Sequence, residues 1–221
     1  MVRDLFALIF PRTCLNCSAA LISKEPFLCT SCKINLPFTD DFSFSENQLF
    51  LKFAFQPKIK SAQAFIYFLK GGMTQKLLHH LKYRGRKEIG FELGKWFAPQ
   101  LETLEIDCIV PVPLYPKKQK RRGFNQSEMV AHGISEVLNK EVRNDLIARV
   151  TSTTTQTRKT KIARWTDMEN VYTEASEQVE GKNILVVDDM ISTGATVGML
   201  CERLVEGKAK SIHIASIARG K

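Results

Sequence analysis

Ile184, Leu185, Val186 and Val187 run directly into two acids, Asp188 and Asp189. A short run of small and hydroxylated residues follows: Ser192, Thr193, Gly194, Ala195 and Thr196. Four consecutive β-favouring aliphatics read as a buried parallel strand that ends on the two carboxylates. Beyond the loop, Val197, Leu200, Cys201 and Leu204 are spaced to line one face of a helix. Strand, acidic pair, small-residue loop and helix N-terminus together form a phosphate cradle. Backbone N–H groups and hydroxyls at a helix start suit a phosphate, and a glycine lets the backbone approach it closely. Carboxylates at the strand's carboxyl end can accept hydrogen bonds from sugar hydroxyls, so the pattern points to sugar-phosphate chemistry. The plainer alternative is a βα turn whose Asp and Ser/Thr residues only cap the next helix. One acid would fit that; two acids followed by Ser-Thr-Gly-Ala-Thr fit it badly.

A second group of reactive residues lies near the N-terminus. Cys14-Leu15-Asn16-Cys17 and Cys29-Thr30-Ser31-Cys32 are two C-x-x-C knuckles a short loop apart. Four thiolates so spaced can surround one tetrahedral Zn²⁺ in a structural site. The segment between them is too short and polar to make a core of its own, so metal would hold it. Disulfides and redox-active pairs are the other uses of such cysteines; a reducing compartment disfavours the first, and two pairs this close argue against the second. Cys108 and Cys201 fall in apolar patterns and read as core thiols.

The chain has 221 residues, 44% of them hydrophobic, enough for one main domain with a small appendage. Its formal net charge of +9 favours an anionic ligand or partner. No apolar stretch is long enough to span a bilayer, so no membrane insertion is expected. The apolar run at residues 5–10 is too short for a signal-peptide core and follows Asp4, which gives a cytoplasmic protein as the expectation. Gly90-Phe91-Glu92-Leu93-Gly94-Lys95 is one residue short of a nucleotide-binding P-loop and lacks the following Ser/Thr, so ATP-driven DNA translocation is not expected.

These residues need elements to hold them. Residues 1–36 form the cysteine module. Residues 37–60 read as an irregular connector whose Phe42, Phe44, Phe50, Phe53 and Phe55 tuck against the core, and residues 61–221 as the main domain. Strands are expected at 62–69, 106–110 and 211–218 beside the one before Asp188. Helices are expected at 73–83, 88–104 with a break near Pro99, and 127–138. Pro111-Val112-Pro113 should turn the chain. A basic loop with Lys117, Lys118, Lys120, Arg121 and Arg122 follows, and residues 151–164 are hydroxyl-rich and basic. Strands alternating with helices give an α/β fold with a mostly parallel sheet and a ligand at the strand carboxyl ends.

The run from Ile184 to Thr196 resembles the 5-phosphoribosyl-1-pyrophosphate (PRPP) motif of type I phosphoribosyltransferases. That resemblance implies that Asp188 and Asp189 hold the ribose hydroxyls and that Ser192, Thr193, Gly194, Ala195 and Thr196 hold the 5′-phosphate. Val110-Pro111-Val112-Pro113, Arg121-Arg122-Gly123-Phe124-Asn125-Gln126, Thr155-Gln156-Thr157, Arg164-Trp165, Asn170-Val171 and the segment 80–85, together with the knuckles, are similar to the competence-associated ComF family. That family joins a zinc-ribbon-like N-terminus to a type I phosphoribosyltransferase-like fold. The likeness implies that Arg121, Arg122 and Asn125 face the pyrophosphate, with Lys159 and Arg164 on a loop that closes over it, and that Mg²⁺ accompanies PRPP. It implies a glycosyltransferase of the phosphoribosyltransferase type acting on an unidentified acceptor, with a role in DNA uptake during natural transformation. Two other readings stay open: a non-catalytic, PRPP-regulated single-stranded DNA-binding or adaptor protein that works with competence-machinery proteins, and a plain scaffold. The 117–122 cluster would carry any DNA. Acceptor and oligomeric state are not legible in the chain.

Overall fold

Runs of buried aliphatics produce the five strands of one sheet: β1 (Ile59–Phe68), β2 (Cys108–Pro111), β3 (Glu141–Val142), β4 (Asn183–Ile191) and β5 (Ser211–Gly220). The structure is a computed structural model that describes residues 12–43, 46–150 and 171–221. The apolar run at 5–10, Phe44 and the segment bearing Lys159 and Arg164 lie outside the described residues. The strand order is β1-β5-β4-β2-β3 with every pairing parallel. All carboxyl ends therefore open on one side of the sheet, where parallel α/β sheets place ligands. The expected α/β architecture is the one observed.

Both faces of the sheet are covered, as a parallel sheet requires. Alternating side chains of β4 divide between two apolar clusters. Leu185 and Val187 join one with Leu77, Leu93 and Val130; Ile184 and Val186 join the other with Val197 and Leu200. The first face carries helices α3 (Met73–Tyr83), α4 (Lys87–Phe97) and α6 (Gln126–Leu138), and the second carries α7 (Ala195–Glu206). Helix α3 has the expected bounds, and α4 passes into a single 3-10 turn at Ala98–Leu101, where Pro99 cannot extend an α-helix. Among the described residues no helix is long and apolar enough to cross a membrane.

Four local expectations are corrected. The basic stretch is not a loop but a short helix, α5 (Pro116–Arg122). Pro116 starts it where a missing N–H costs nothing, Lys, Gln and Arg favour it, and Gly123 at φ +86° ends it. Pro111 does not end its ladder: it pairs with Val187, and Val112 N–H donates to the Val187 carbonyl at 2.8 Å. The proline's missing donor faces the other neighbour, β3, which is only two residues long. Strand β4 runs past the acids to Ile191, because β5 is long enough to pair with it as far as Arg219. The connector is also less irregular than expected. It contains α2 (Gln48–Leu51) after the first short helix, α1 (Thr30–Ile34), and β1 begins at Ile59. Of its aromatics Phe53 is buried, Phe42 packs on Phe97 at 5.9 Å and Phe50 is partly covered, but Phe55 stays 69% exposed.

The cysteine module is tied to the main domain by apolar contacts. Phe27 and Leu28, between the knuckles, are fully buried in the same cluster as α3 and α4. Phe27 stacks on Trp96 at 5.2 Å, and the Lys33 ammonium lies 4.0 Å over the same indole.

Helix α6 comes very close to α4 because two glycines meet there. A Cβ on Gly133 would stand 1.9 Å from the Phe91 carbonyl oxygen, and one on Gly94 would stand 2.3 Å from that of Val130. Gly133→Ala must push the helices apart and is expected to cost at least ~1–3 kcal/mol, the usual range for overpacking. Urea unfolding of parent and variant measures this; equal midpoints would show that the helices separate freely.

Candidate functional site

At the carboxyl ends of β2 and β4 the sheet opens into a cleft. One wall is the loop from Ser192 to Thr196 with the start of α7; the other is Val112 to Leu114 with Arg122, Asn125 and Arg149. Asp188 and Asp189 lie between them. The structure thus brings together both acids, all five loop residues, Arg122 and Asn125. Arg121 is exposed and does not line the cleft. Lys159 and Arg164 lie outside the described residues.

The loop is shaped for its turn. Gly194 has φ +87°, a left-handed conformation that L side chains rarely adopt, and it caps the N-terminus of α7. The twelve-residue helix behind it directs its positive end at the cleft. Thr193 Oγ1 accepts from Ala195 N–H at 3.4 Å, and the Thr196 carbonyl accepts from the buried Tyr172 hydroxyl at 3.3 Å.

The two acids are not equivalent. Being adjacent in a strand, they project to opposite faces of the sheet. Asp189 is buried and ion-paired at 2.6 Å with Lys82 from α3. Asp188 is half-buried and accepts from the Ser127 hydroxyl at 2.9 Å and from Asp189 N–H at 2.8 Å. The Ser127 oxygen also accepts from Asp189 N–H at 3.2 Å, so one hydroxyl at the start of α6 fixes this corner of the strand. Burial, reinforced by the Asp189 charge, pushes the Asp188 carboxyl from 3.8 up to about 7, against the Ser127 hydrogen bond and the Lys82 charge.

Asn125 is occupied as a helix cap. Its oxygen accepts from Ser127 N–H at 3.1 Å and its amide donates to the Val112 carbonyl at 3.0 Å. Arg122 donates to Gln126 Oε1 at 2.7 Å and lies 5.5 Å from the Tyr83 ring centroid. Lys118 belongs to the same cationic edge: burial and the charges of Arg149, Arg122 and Arg121 hold its ammonium below the usual lysine range. Ser127, Lys82 and Arg149 were not singled out from the sequence. Lys82 stands within a family-like segment, but only the placement of α3 over the sheet brings it to Asp189.

The four cysteines converge as their spacing implied. Their sulfurs lie within 4.8 Å of one another, and those of Cys17 and Cys29 are 3.7 Å apart. A disulfide needs about 2.05 Å, whereas tetrahedral Zn–S bonds of about 2.3 Å place sulfurs a little under 4 Å apart. Asn16 Nδ2 donates to Cys32 Sγ at 3.3 Å, which fixes the direction of that sulfur. The cluster could hold a metal ion such as zinc. Cys108 and Cys201 are buried and apart from it, as core thiols.

Comparison with known proteins agrees with this layout. Residues 125–221 match the phosphoribosyl transferase domain family. The chain is 29% identical over 150 residues to DNA utilization protein YhgH of Escherichia coli (strain K12), covering 65% of this chain and 66% of that protein. It is 30% identical over 151 residues to Competence protein ComFC of Bacillus subtilis (strain 168), covering 66% of this chain and 60% of that protein. The matched regions thus span less than two thirds of these relatives. Among solved structures, the glutamine PRPP amidotransferase of B. subtilis complexed with ADP and GMP aligns with 62% of this chain and 30% of its own, at 21% identity and a TM-score of 0.45. That likeness is too distant to bear on function.

The raised Asp188 carboxyl has a consequence for stability. Folded, it holds its proton more tightly than in the unfolded chain, where the value is about 3.9. Folding should therefore lose stability as pH rises from about 4 to about 7 through this group. Asp188→Asn cannot ionise, so the stability of the parent relative to this variant is expected to fall across that window and then level off. Urea unfolding at a series of pH values reads it. A difference independent of pH would show that burial does not disfavour the charge.

Proposed function

We propose that the protein binds PRPP with Mg²⁺ in this cleft and transfers its phosphoribosyl group to an acceptor, releasing pyrophosphate. The observation that carries the reading is the cleft's sorting of chemistry. Carboxylates that suit ribose hydroxyls lie between a helix-start loop that suits a phosphate and an arginine-bearing wall that suits a diphosphate. The phosphoribosyl transferase domain match over residues 125–221 supports it.

In this reading Ser192, Thr193, Gly194, Ala195 and Thr196 hold the 5′-phosphate through N–H groups and hydroxyls. Ionised Asp188, oriented by Ser127, accepts a ribose hydroxyl. Asp189, neutralised by Lys82, takes the second from the other side of the strand. Arg122 offers a planar fork to the diphosphate; Asn125, Lys159 and Arg164 remain proposed pyrophosphate-side residues, with Asn125 acting by shaping the turn, whereas Arg121 faces away from the cleft. The acceptor's lone pair forms the new bond to the anomeric carbon while the bond to the pyrophosphate oxygen breaks and its electron pair leaves with pyrophosphate. The sugar passes through an oxocarbenium-like state, so catalysis rests on orientation and on charge at the leaving group. The Asp188 carboxylate and the loop hydroxyls are oxygen ligands of the kind a hard cation takes, and Mg²⁺ accompanying PRPP would supply neutralisation of the leaving group.

A second reading draws on α5, whose Lys117, Lys120 and Arg121 face outward, and on relatives named for competence and DNA utilization. In it the protein binds single-stranded DNA or competence proteins, and PRPP regulates it. Pyrophosphate release in the presence of acceptors separates the two.

Calorimetric titration with PRPP and Mg²⁺ is expected to show one site per chain, and Asp188→Asn to weaken it about ten- to a hundredfold, the worth of a charged hydrogen bond. A folded variant with unchanged affinity would overturn the ribose assignment.

We also propose structural Zn²⁺ on Cys14, Cys17, Cys29 and Cys32. Metal analysis of protein purified without chelator should find one zinc per chain. Its removal should destabilise the main domain as well, because Phe27 and Leu28 are part of that core. Chelation that leaves the melting temperature unmoved would show that the apolar contacts alone hold the module.

A further inference from the structure

The phosphate loop is braced from behind by a segment 140 residues away in sequence. Lys52, just past α2, donates from its ammonium to the Ser192 carbonyl oxygen. The next residue, Phe53, is 1% exposed, and its ring tip stands 2.9 Å from where a Cβ on Gly194 would be. Neither residue lines the cleft. They touch the loop on its outer side.

The brace is itself anchored. Asn47 caps α2, accepting from Leu49 and Phe50 N–H at 2.9 Å each. Its amide donates to the Ala62 carbonyl of β1 at 2.8 Å and to the Asp41 carbonyl at 3.1 Å. Asp41, fully buried, grips the Arg219 guanidinium of β5 at 2.7 Å and accepts from Ala64 N–H at 3.0 Å. The segment bearing Lys52 and Phe53 is thus fixed to the two strands at one side of the sheet.

Such a brace has an electrostatic use. In a trans peptide the C=O and the following N–H point in opposite directions. Tying the Ser192 oxygen to an ammonium outside the loop turns that negative pole away from the cleft and aims Thr193 N–H the other way. A carbonyl swung inward would repel a phosphate. The Phe53 ring fills the space beside Gly194 and keeps the loop apex from collapsing outward.

We propose that Lys52 and Phe53 are positioning residues for the 5′-phosphate subsite, holding residues 192–194 with their donors toward the ligand. The inference rests on the cleft being the PRPP site. It makes phosphate affinity depend on a segment that touches no ligand.

The test is calorimetric titration of the full chain with ribose 5-phosphate, which carries the 5′-phosphate alone, and with Mg²⁺-pyrophosphate, which lacks it. Parent, Lys52→Met, Lys52→Arg and Phe53→Leu are compared, with melting temperatures alongside. Lys52→Met is expected to weaken ribose 5-phosphate about tenfold, the order of one hydrogen bond to a charged group. It should leave pyrophosphate binding and the melting temperature near the parent's, because Lys52 is exposed. Lys52→Arg should keep most of the affinity, and Phe53→Leu should share the selective loss. If the parent binds ribose 5-phosphate but Lys52→Met binds it equally well, or loses both ligands alike, the brace is overturned and the cleft reading stands. A parent that binds neither ribose 5-phosphate nor PRPP overturns the cleft reading and the brace with it. Should Phe53→Leu fail to fold, the exposed Lys52 pair still decides.

Discussion

Two carboxylates side by side in a buried strand, near its carboxyl end, are the constraint on which the rest depends. Charge in such a place is costly unless it is paired or hydrogen-bonded. Strand geometry separates the two, sending Asp188 and Asp189 to opposite faces, and two helices that pack on the same face of the sheet supply a partner to each. Helix α3 brings Lys82 to Asp189 at 2.6 Å, and helix α6 brings Ser127 to Asp188 at 2.9 Å. Neither helix can shift without stranding a charge. This explains why α4 and α6 touch through glycines: Gly94 and Gly133 let α6 lie close enough over the sheet for its first turn to reach β4. Asp188, the less completely compensated acid, keeps the raised carboxyl and the position open to the cleft.

The N-terminal third is woven into this arrangement rather than hung from it. Phe27 and Leu28 complete the apolar layer over α4, residues 37–39 pair along the outer edge of β1, and Asp41 pairs with Arg219 inside the protein. A buried ion pair of this kind adds little stability, and one use of such pairs is to specify one arrangement over others. Here it fixes where the connector crosses the strand ends, and thereby where Lys52 and Phe53 meet the phosphate loop.

What the sequence determined by itself was local. Apolar runs and their spacing marked four of the five strands and helices α3, α4, α6 and α7. The acids with Ser-Thr-Gly-Ala-Thr marked one wall of the cleft, and the paired knuckles marked a metal-type cluster, because each of these signals is complete within a few neighbouring residues. The two-residue β3 was too short to leave a pattern. The Lys- and Arg-rich stretch looked like a loop because charge masked the start signal of Pro116 and the stop signal of Gly123. Only the tertiary structure decided which lysine neutralises Asp189, that Ser127 rather than any charged residue holds Asp188, that Arg122 faces the cleft while Arg121 faces out, and that Lys52 and Phe53 stand behind Gly194. Those contacts join residues about 60 to 140 positions apart. Their partners are chosen by how helices pack across a parallel sheet, and no periodicity within a single segment carries that information.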